Sequence, residues 1–251
     1  MTIAPPRSGL RPPPPGGGAA SGPAKPVPRR QLVKGASAAR TALGDDPDVP
    51  KGLIRQANEA RILGAGEKVF ARAGFNGATM AAIADEAGLP KANLHYYFGS
   101  KLDLYRAVLA RTLHDWLVPL DGLVPEADPR EALERYIRAK MAMSAQRPDA
   151  SRVFANELLH GAAVVGELMR TELRSIVRRK AAVIDGWIAA QRMAPVDSIH
   201  LFFTIWAATQ TYADFDAQVR AVLGRDELTP RDHERATEHV VGLILRGCGL
   251  G

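Results

Sequence analysis

Four side chains in one short stretch, Lys91, Asn93, His95 and Tyr96, have the chemistry to read base edges of DNA. An asparagine amide pairs bidentately with adenine, and a lysine ammonium favours the acceptors of guanine. Beside them Thr79, Tyr97 and Lys101 carry hydroxyls and a positive charge suited to phosphate oxygens. Each of these side chains alone is equally well explained by simple solvation, so their spacing has to carry the argument. A second set, Trp116, Asn156, Trp187, Trp206, Gln210 and Tyr212, combines flat apolar walls with amide and hydroxyl groups. Such a mixture suits a flat ring with donors and acceptors on its edge. Other chemistries find little support. The histidines His95, His114, His160, His200, His233 and His239 never pair at i, i+4, and Cys248 is the single cysteine. Neither supplies a metal-ligand set. No G-x-S-x-G occurs, so nucleophilic catalysis lacks its usual scaffold. We expect no enzyme, no metal and no cofactor.

The candidate DNA readers lie in TMAAIADEAGLPKANLHYYF, Thr79 to Phe98. Thr79 is a helix N-cap for a helix over 80–87, because its hydroxyl can accept from a first-turn amide. Gly88 ends that helix, being free to adopt positive φ. Pro90 stands at the start of a second helix, where its missing N–H is harmless, and that helix runs to about Tyr97. Ala84 permits a close crossing, Leu94 plugs the angle, and Ile83, Ala87 and Leu89 complete the apolar wedge. The spacing Ala-x3-Gly-x5-Leu with the Thr cap describes a helix-turn-helix whose second helix enters the major groove. An ordinary helical hairpin is the plainer alternative.

The pattern T79-x3-IA-x2-AG-x5-L94-x2-YF-x2-K101 resembles the DNA-binding domain of TetR-type repressors, from about Ala57 to Trp116. The resemblance implies phosphate contacts for Thr79, Tyr97 and Lys101. The chain departs from it at Pro90, where the family often has Ser or Thr, and at His95, where it often has Tyr.

Residues 1–52 hold eight basic against three acidic residues, almost the whole net charge of +6. The basic balance therefore belongs to this Pro/Gly-rich tail and says nothing about the remainder. With almost no large apolar residues the tail cannot offset its ordering entropy, and it is expected to be disordered. It is either an inert extension or a basic arm that holds DNA non-specifically. From Leu53, residues Ile62, Leu63, Gly66, Val69, Phe70 and Ala73 form one helical face that ends at Gly74. Gly66 suggests close packing, whereas Gly64 has no evident role. Ser100 caps the next helix, and further helices are expected at 129–146, 151–160, 164–191, 198–215 and 230–247, separated by Pro and Gly. The expected fold is all-α: a helix-turn-helix head over 53–100 and a larger helical domain for ligand binding and dimerisation over 101–251. No run of apolar residues is long enough to span a membrane and no secretory leader is evident, so a cytoplasmic location is expected.

In LFFTIWAATQTYADFDAQV, residues 201–219, polar Thr, Gln, Tyr and Asp are mixed into a helix that is otherwise apolar. Buried polar groups need partners, which a dimer seam or a small ligand could supply. Three segments, ASRVF at 150–154, AAVIDGWIAAQRMAPVD at 181–197 and IWAATQTYADF at 205–215, resemble the ligand domain of RutR-like regulators of pyrimidine utilisation. That resemblance implies a pyrimidine effector, uracil or thymine. The base is expected between Trp116 and Trp206, with Gln210, Tyr212 and Asn156 as polar partners and Trp187 nearby. A purine or phenolic compound would fit the same groups.

The whole is expected to be a dimeric, ligand-responsive transcriptional regulator of a palindromic operator on double-stranded DNA. Its seam is expected on helices 198–215 and 230–247, around Val219, Val222, Val240, Val241, Leu243, Ile244 and Leu245. Its rivals are a TetR-type repressor of another small aromatic effector, a ligand-free architectural DNA-binding protein, and an enzyme with a DNA-binding head.

Overall fold

The computed structural model describes residues 51–251. The tail expected over 1–52 lies almost wholly outside the described residues, as does the choice between its two roles. Every regular element among the described residues is helical, and no strand occurs among them.

The head is α1 (Lys51–Gly77), α2 (Met80–Ala87) and α3 (Lys91–Tyr97). Helix α1 runs regularly to Gly74, where φ 66° and ψ 175° kink it before a final turn. Thr79 caps α2, its hydroxyl accepting from the Ala82 amide at 3.1 Å. Gly88 ends α2 in the left-handed region, at φ 61° and ψ 37°. A Cβ there would also lie 2.7 Å from Arg61 Nη2, so glycine is required for space as well as conformation. Pro90 takes the cap position just before α3, one residue earlier than the sequence suggested. Ile83 and Leu94 are fully buried between the helices. Gly66 does serve close packing, since a Cβ would approach Val108 Cγ2 to 3.2 Å. Gly64 faces open space.

Helix α4 (Lys101–Leu117) leads out of the head, capped by Ser100, which accepts from the Asp103 amide at 3.1 Å. A 3-10 turn at Val118–Gly122 follows, then α5 (Pro129–Gln146) and α6 (Pro148–Leu159). Pro148 sits at the first helical position and starts α6 three residues before the expected border. The segment expected as one helix over 164–191 is a short α7 (Gly166–Leu168), a π-turn at Met169–Leu173 and α8 (Arg174–Ala189). Helix α9 (Ser198–Asp214) is followed by α10 (Asp216–Leu223), which the sequence reading missed, and by α11 (Pro230–Gly247). A reciprocal capping box of Thr229 and Asp232 starts α11.

Helix α5 packs on both α9 and α11, while α1 packs on α4 and α6 as well as on α2. Residues 51–251 accordingly form one compact unit, in which α4 packs back on α1. Two expectations about the later helices need correction. Val240, Val241, Ile244 and Leu245 are buried within the protomer and are unavailable to a seam; Val222 and Leu243 are exposed. The polar groups of α9 are also mostly satisfied internally. Thr209 Oγ1 donates to the Ile205 carbonyl at 2.8 Å, Thr211 Oγ1 donates to that of Ala207 at 2.8 Å, and Asp214 accepts from Ser151 Oγ at 2.6 Å. No helix among the described residues is long and apolar enough to cross a membrane.

Candidate DNA interface and effector cavity

Helix α3 presents Lys91, Asn93, His95 and Tyr96 to solvent, while Leu94 anchors its inner side. Tyr96 is 74% exposed and meets the half-buried Tyr97 edge to face, their rings 5.3 Å apart. Thr79 uses its oxygen as an acceptor, which leaves the hydroxyl proton free to donate to a phosphate. Lys101 is placed differently from the expectation. Its ammonium donates to the carbonyls of Phe75 at 2.7 Å, Ala78 at 2.9 Å and Asn76 at 3.4 Å. It also lies 4.5 Å from the centre of the Phe75 ring. A lysine has three N–H donors, and here all of them bind the end of α1. In this arrangement Lys101 fastens α4 to α1, and no donor remains for DNA. Nearby cations are also engaged: Lys68 and Arg72 both donate to the Glu86 carboxylate, at 3.1 and 2.7 Å.

A cavity of about 80 Å³ opens between α4, α5, α6, the π-turn and α9. Trp116, Phe154 and Trp206 form its aromatic wall, and Lys140 and Gln210 are its polar residues. Trp116 and Phe154 pack edge to face at 4.9 Å. Trp206 is oriented by its indole N–H, which donates to the Tyr136 hydroxyl at 2.7 Å. Burial pushes the pKa of that hydroxyl above the usual tyrosine range, so it remains a neutral partner. The π-turn contributes Met169 and Leu173 to the lining. Such an extra-residue turn re-aims side chains and is frequent at functional sites.

Of the six residues expected around a ligand, Trp116, Trp206 and Gln210 come together here; the other three do not. Trp187 is 1% exposed, and its indole N–H donates to the Pro125 carbonyl at 3.1 Å, making it a satisfied core residue. Asn156 faces a separate cleft with Phe75, Tyr105 and His160. Tyr212 lies on grooves bordered by α10 and α11. The expected sandwich of a base between Trp116 and Trp206 is also modified, because the Lys140 ammonium already lies 3.9 Å from the centre of the Trp116 ring.

Lys140 was missed by the sequence reading, although Leu133, Ile137, Lys140 and Ser144 follow the helical spacing of one buried face. It is 1% exposed, and burial lowers its pKa to about 7, against the pull of Asp214. Between α5 and α6, Arg147 joins these helices to α1 and α4. It donates to both carboxylate oxygens of Glu67 on α1 and to Asp115 on α4. Arg111 lies 3.7 Å from Glu67 and 3.8 Å from Asp115. Among the described residues no cluster of His, Cys, Asp or Glu is arranged to hold a metal.

Comparison with known proteins identifies both parts. Residues 62–108 match the description "Bacterial regulatory proteins, tetR family", and residues 109–251 match "YcdC-like protein, C-terminal region". The chain is 41% identical to the HTH-type transcriptional regulator RutR of Escherichia coli K12 over 194 residues, covering 76% of this chain and 90% of that protein. It is 44% identical over 88 residues to the transcriptional activator FasR of Mycolicibacterium smegmatis, covering 35% of this chain and 40% of that one. A TetR-like regulator from Rhodococcus sp. RHA1 shares the fold at 23% identity, with a TM-score of 0.56 over 79% of this chain and 97% of its own. The chain belongs to the TetR family of DNA-binding transcriptional regulators, a family without enzymatic activity, and carries a RutR-like C-terminal region.

Proposed function

We propose that this regulator binds a palindromic operator in the cytoplasm as a homodimer, and that a pyrimidine base, uracil or thymine, enters the Trp116–Trp206 cavity and weakens that binding. The observation that carries the proposal is the position of the cavity. Trp116 lines it, and the adjacent Asp115 is tied through Arg147 to Glu67 on α1. A ligand that shifts Trp116 strains the bridge between α4 and the head. Switching requires that the ligand bind the two head arrangements with different free energies. The resemblance of 150–154, 181–197 and 205–215 to regulators of pyrimidine utilisation supports the chemical class. A cavity of about 80 Å³ suits a single ring.

Two copies are needed because one short α3 reads too few bases. Paired heads spaced by ~34–36 Å, or a multiple of it, double the site. Exposed apolar side chains on the later helices, including Phe203 on α9 and Leu243 on α11, supply a surface for pairing. The test is a thermal-shift panel of nucleobases and phenols, followed by operator binding with each hit. Uracil or thymine should raise the melting temperature and lower operator affinity over one concentration range. Millimolar pyrimidine that does neither would remove the effector assignment.

A further inference from the structure

The Lys140 side chain is 1% exposed, and because no side-chain nitrogen or oxygen among the described residues is both sealed from solvent and without a partner, its ammonium keeps contact with the open space beside it. Among the described residues it makes no hydrogen bond or ion pair, and its close partner is the face of Trp116. The carboxylate that acts on it, Asp214, is engaged by Ser151 Oγ at 2.6 Å. A ring face attracts the charge but leaves the ammonium's directional donors unspent. Burying a charge with unspent donors is costly, and a methionine would fill the same space without that cost. The side chain also borders the cavity beside Gln210. An unspent donor inside a small aromatic cavity is a recognition group.

We infer that Lys140 is the specificity-determining residue of the cavity, donating to a keto or carboxylate oxygen on a flat, single-ring effector while Gln210 meets the adjacent ring edge. The inference rests on the cavity being the effector site, as proposed above. The chemistry selects among rings. Uracil and thymine place keto oxygens next to ring N–H groups. A Gln amide can both donate and accept, so it complements that edge. Cytosine replaces one keto oxygen by an amino group, which would point N–H donors at an ammonium. A ring carboxylate such as benzoate offers the same oxygen chemistry from another source. Unsubstituted pyrimidine has no oxygen.

The experiment titrates uracil, thymine, cytosine, benzoate and pyrimidine into the full-length protein and into Lys140→Met and Lys140→Gln, following tryptophan fluorescence. Operator binding by each variant is measured alongside. A hydrogen bond from a charged group corresponds to roughly a ten- to hundredfold change in affinity. Lys140→Met should lose about that much affinity for the oxygen-bearing rings while still binding operator. Lys140→Gln, which keeps a donor, should recover part of the loss. The parent should prefer uracil to cytosine and bind pyrimidine weakest. Equal affinity of the parent and Lys140→Met for the same ring overturns the inference and leaves the pyrimidine reading standing. Lys140-dependent binding of benzoate without binding of uracil or thymine does the reverse. A parent that binds none of the rings overturns both.

Discussion

Lys140 and Lys101 show how two residues of one type are put to different uses by their surroundings. At Lys140 the pKa falls from the ordinary 10.5 to about 7, with burial as the first cause. The sign follows directly. Below about pH 7 the group is protonated in both folded and unfolded chains, and the full burial penalty applies. Between about 7 and 10.5 the unfolded chain holds the extra proton, so stability rises with pH, by up to about 1.4 kcal/mol per pH unit for one proton. Lys140→Met should therefore be more stable than the parent by about 1–4 kcal/mol at low pH, the usual range for replacing a buried charge by an apolar residue. The difference should shrink as pH rises through that window. Urea denaturation of both proteins from about pH 6 to 9 measures it, and a constant difference would show that the charge is not suppressed by burial. Lys101, in contrast, has its charge satisfied by three carbonyls at the end of α1. Lys101→Ala should cost about 1.5–3 kcal/mol of stability. A variant as stable as the parent, but with a shallower salt dependence of DNA binding, would return Lys101 to a phosphate role. Neither environment is legible from a lysine in a sequence. The helical spacing around Lys140 could have placed it on the buried face, but not over Trp116, because α4 meets α5 only in the folded chain.

At the scale of elements, legibility followed the range of the signal. The borders of α2 and α3 are set by neighbours in the chain: Thr79 caps, Gly88 turns, and Pro90 precedes the next helix. Such signals are read locally. The π-turn at Met169–Leu173 was invisible, because apolar spacing passes through it and no residue type marks an inserted backbone position. Trp187 was indistinguishable from Trp116 in sequence; what separates them is that the loop carbonyl of Pro125 meets one indole and the cavity meets the other. In the proposed switch, helix α4 joins reading to sensing. Its first turn is tied to the end of α1 by Lys101, its middle packs closely on Gly66, and its last turns carry Asp115 and Trp116. Arg147 bridges it to Glu67, whose side chain is only 7% exposed. Arg147→Met should thus destabilise by about 1.5–3 kcal/mol, because it removes charged hydrogen bonds and leaves Arg111, among the described residues, as the one cation beside the buried Glu67 carboxylate. It should also narrow the ratio of operator affinities with and without effector, while effector affinity stays within about threefold. Adding Glu67→Gln should restore stability but not the ratio. If the double variant still releases operator on effector binding as the parent does, the signal takes another path.

At the scale of the whole molecule, one α3 with four exposed candidate readers is a small recognition surface, and the described part of the chain has nearly balanced charge. In the proposed homodimer, affinity for an operator comes from presenting two such surfaces at once. Linking two binding events raises avidity without any new contact, provided the geometry permits both together. The surface available for the link is defined by what the protomer leaves uncovered. Phe203 is 51% exposed on α9 and Leu243 is 56% exposed on α11, and Phe215 and Val222 lie open at 58% and 80% nearby in sequence on α9 to α10. A contiguous apolar patch, if these side chains form one across two copies, is what a pairing surface requires. The expected seam therefore shifts from the buried Val240, Val241, Ile244 and Leu245 to these exposed residues. Phe203→Glu with Leu243→Glu should leave the protomer folded, since neither side chain belongs to the core. It should place a like charge on both sides of a two-fold interface, where repulsion acts twice. Sedimentation at micromolar concentration should then give the protomer mass, with unchanged helix content by circular dichroism. Affinity for a full operator should fall toward that for a half-site, whereas effector binding should persist in Leu243→Glu alone, because Phe203 packs edge to face on the cavity wall at Trp206, with ring centres 5.7 Å apart. A double variant that remains dimeric would move the seam to another face. One that becomes monomeric yet binds the full operator as tightly as before would mean that the second head contributes nothing to recognition.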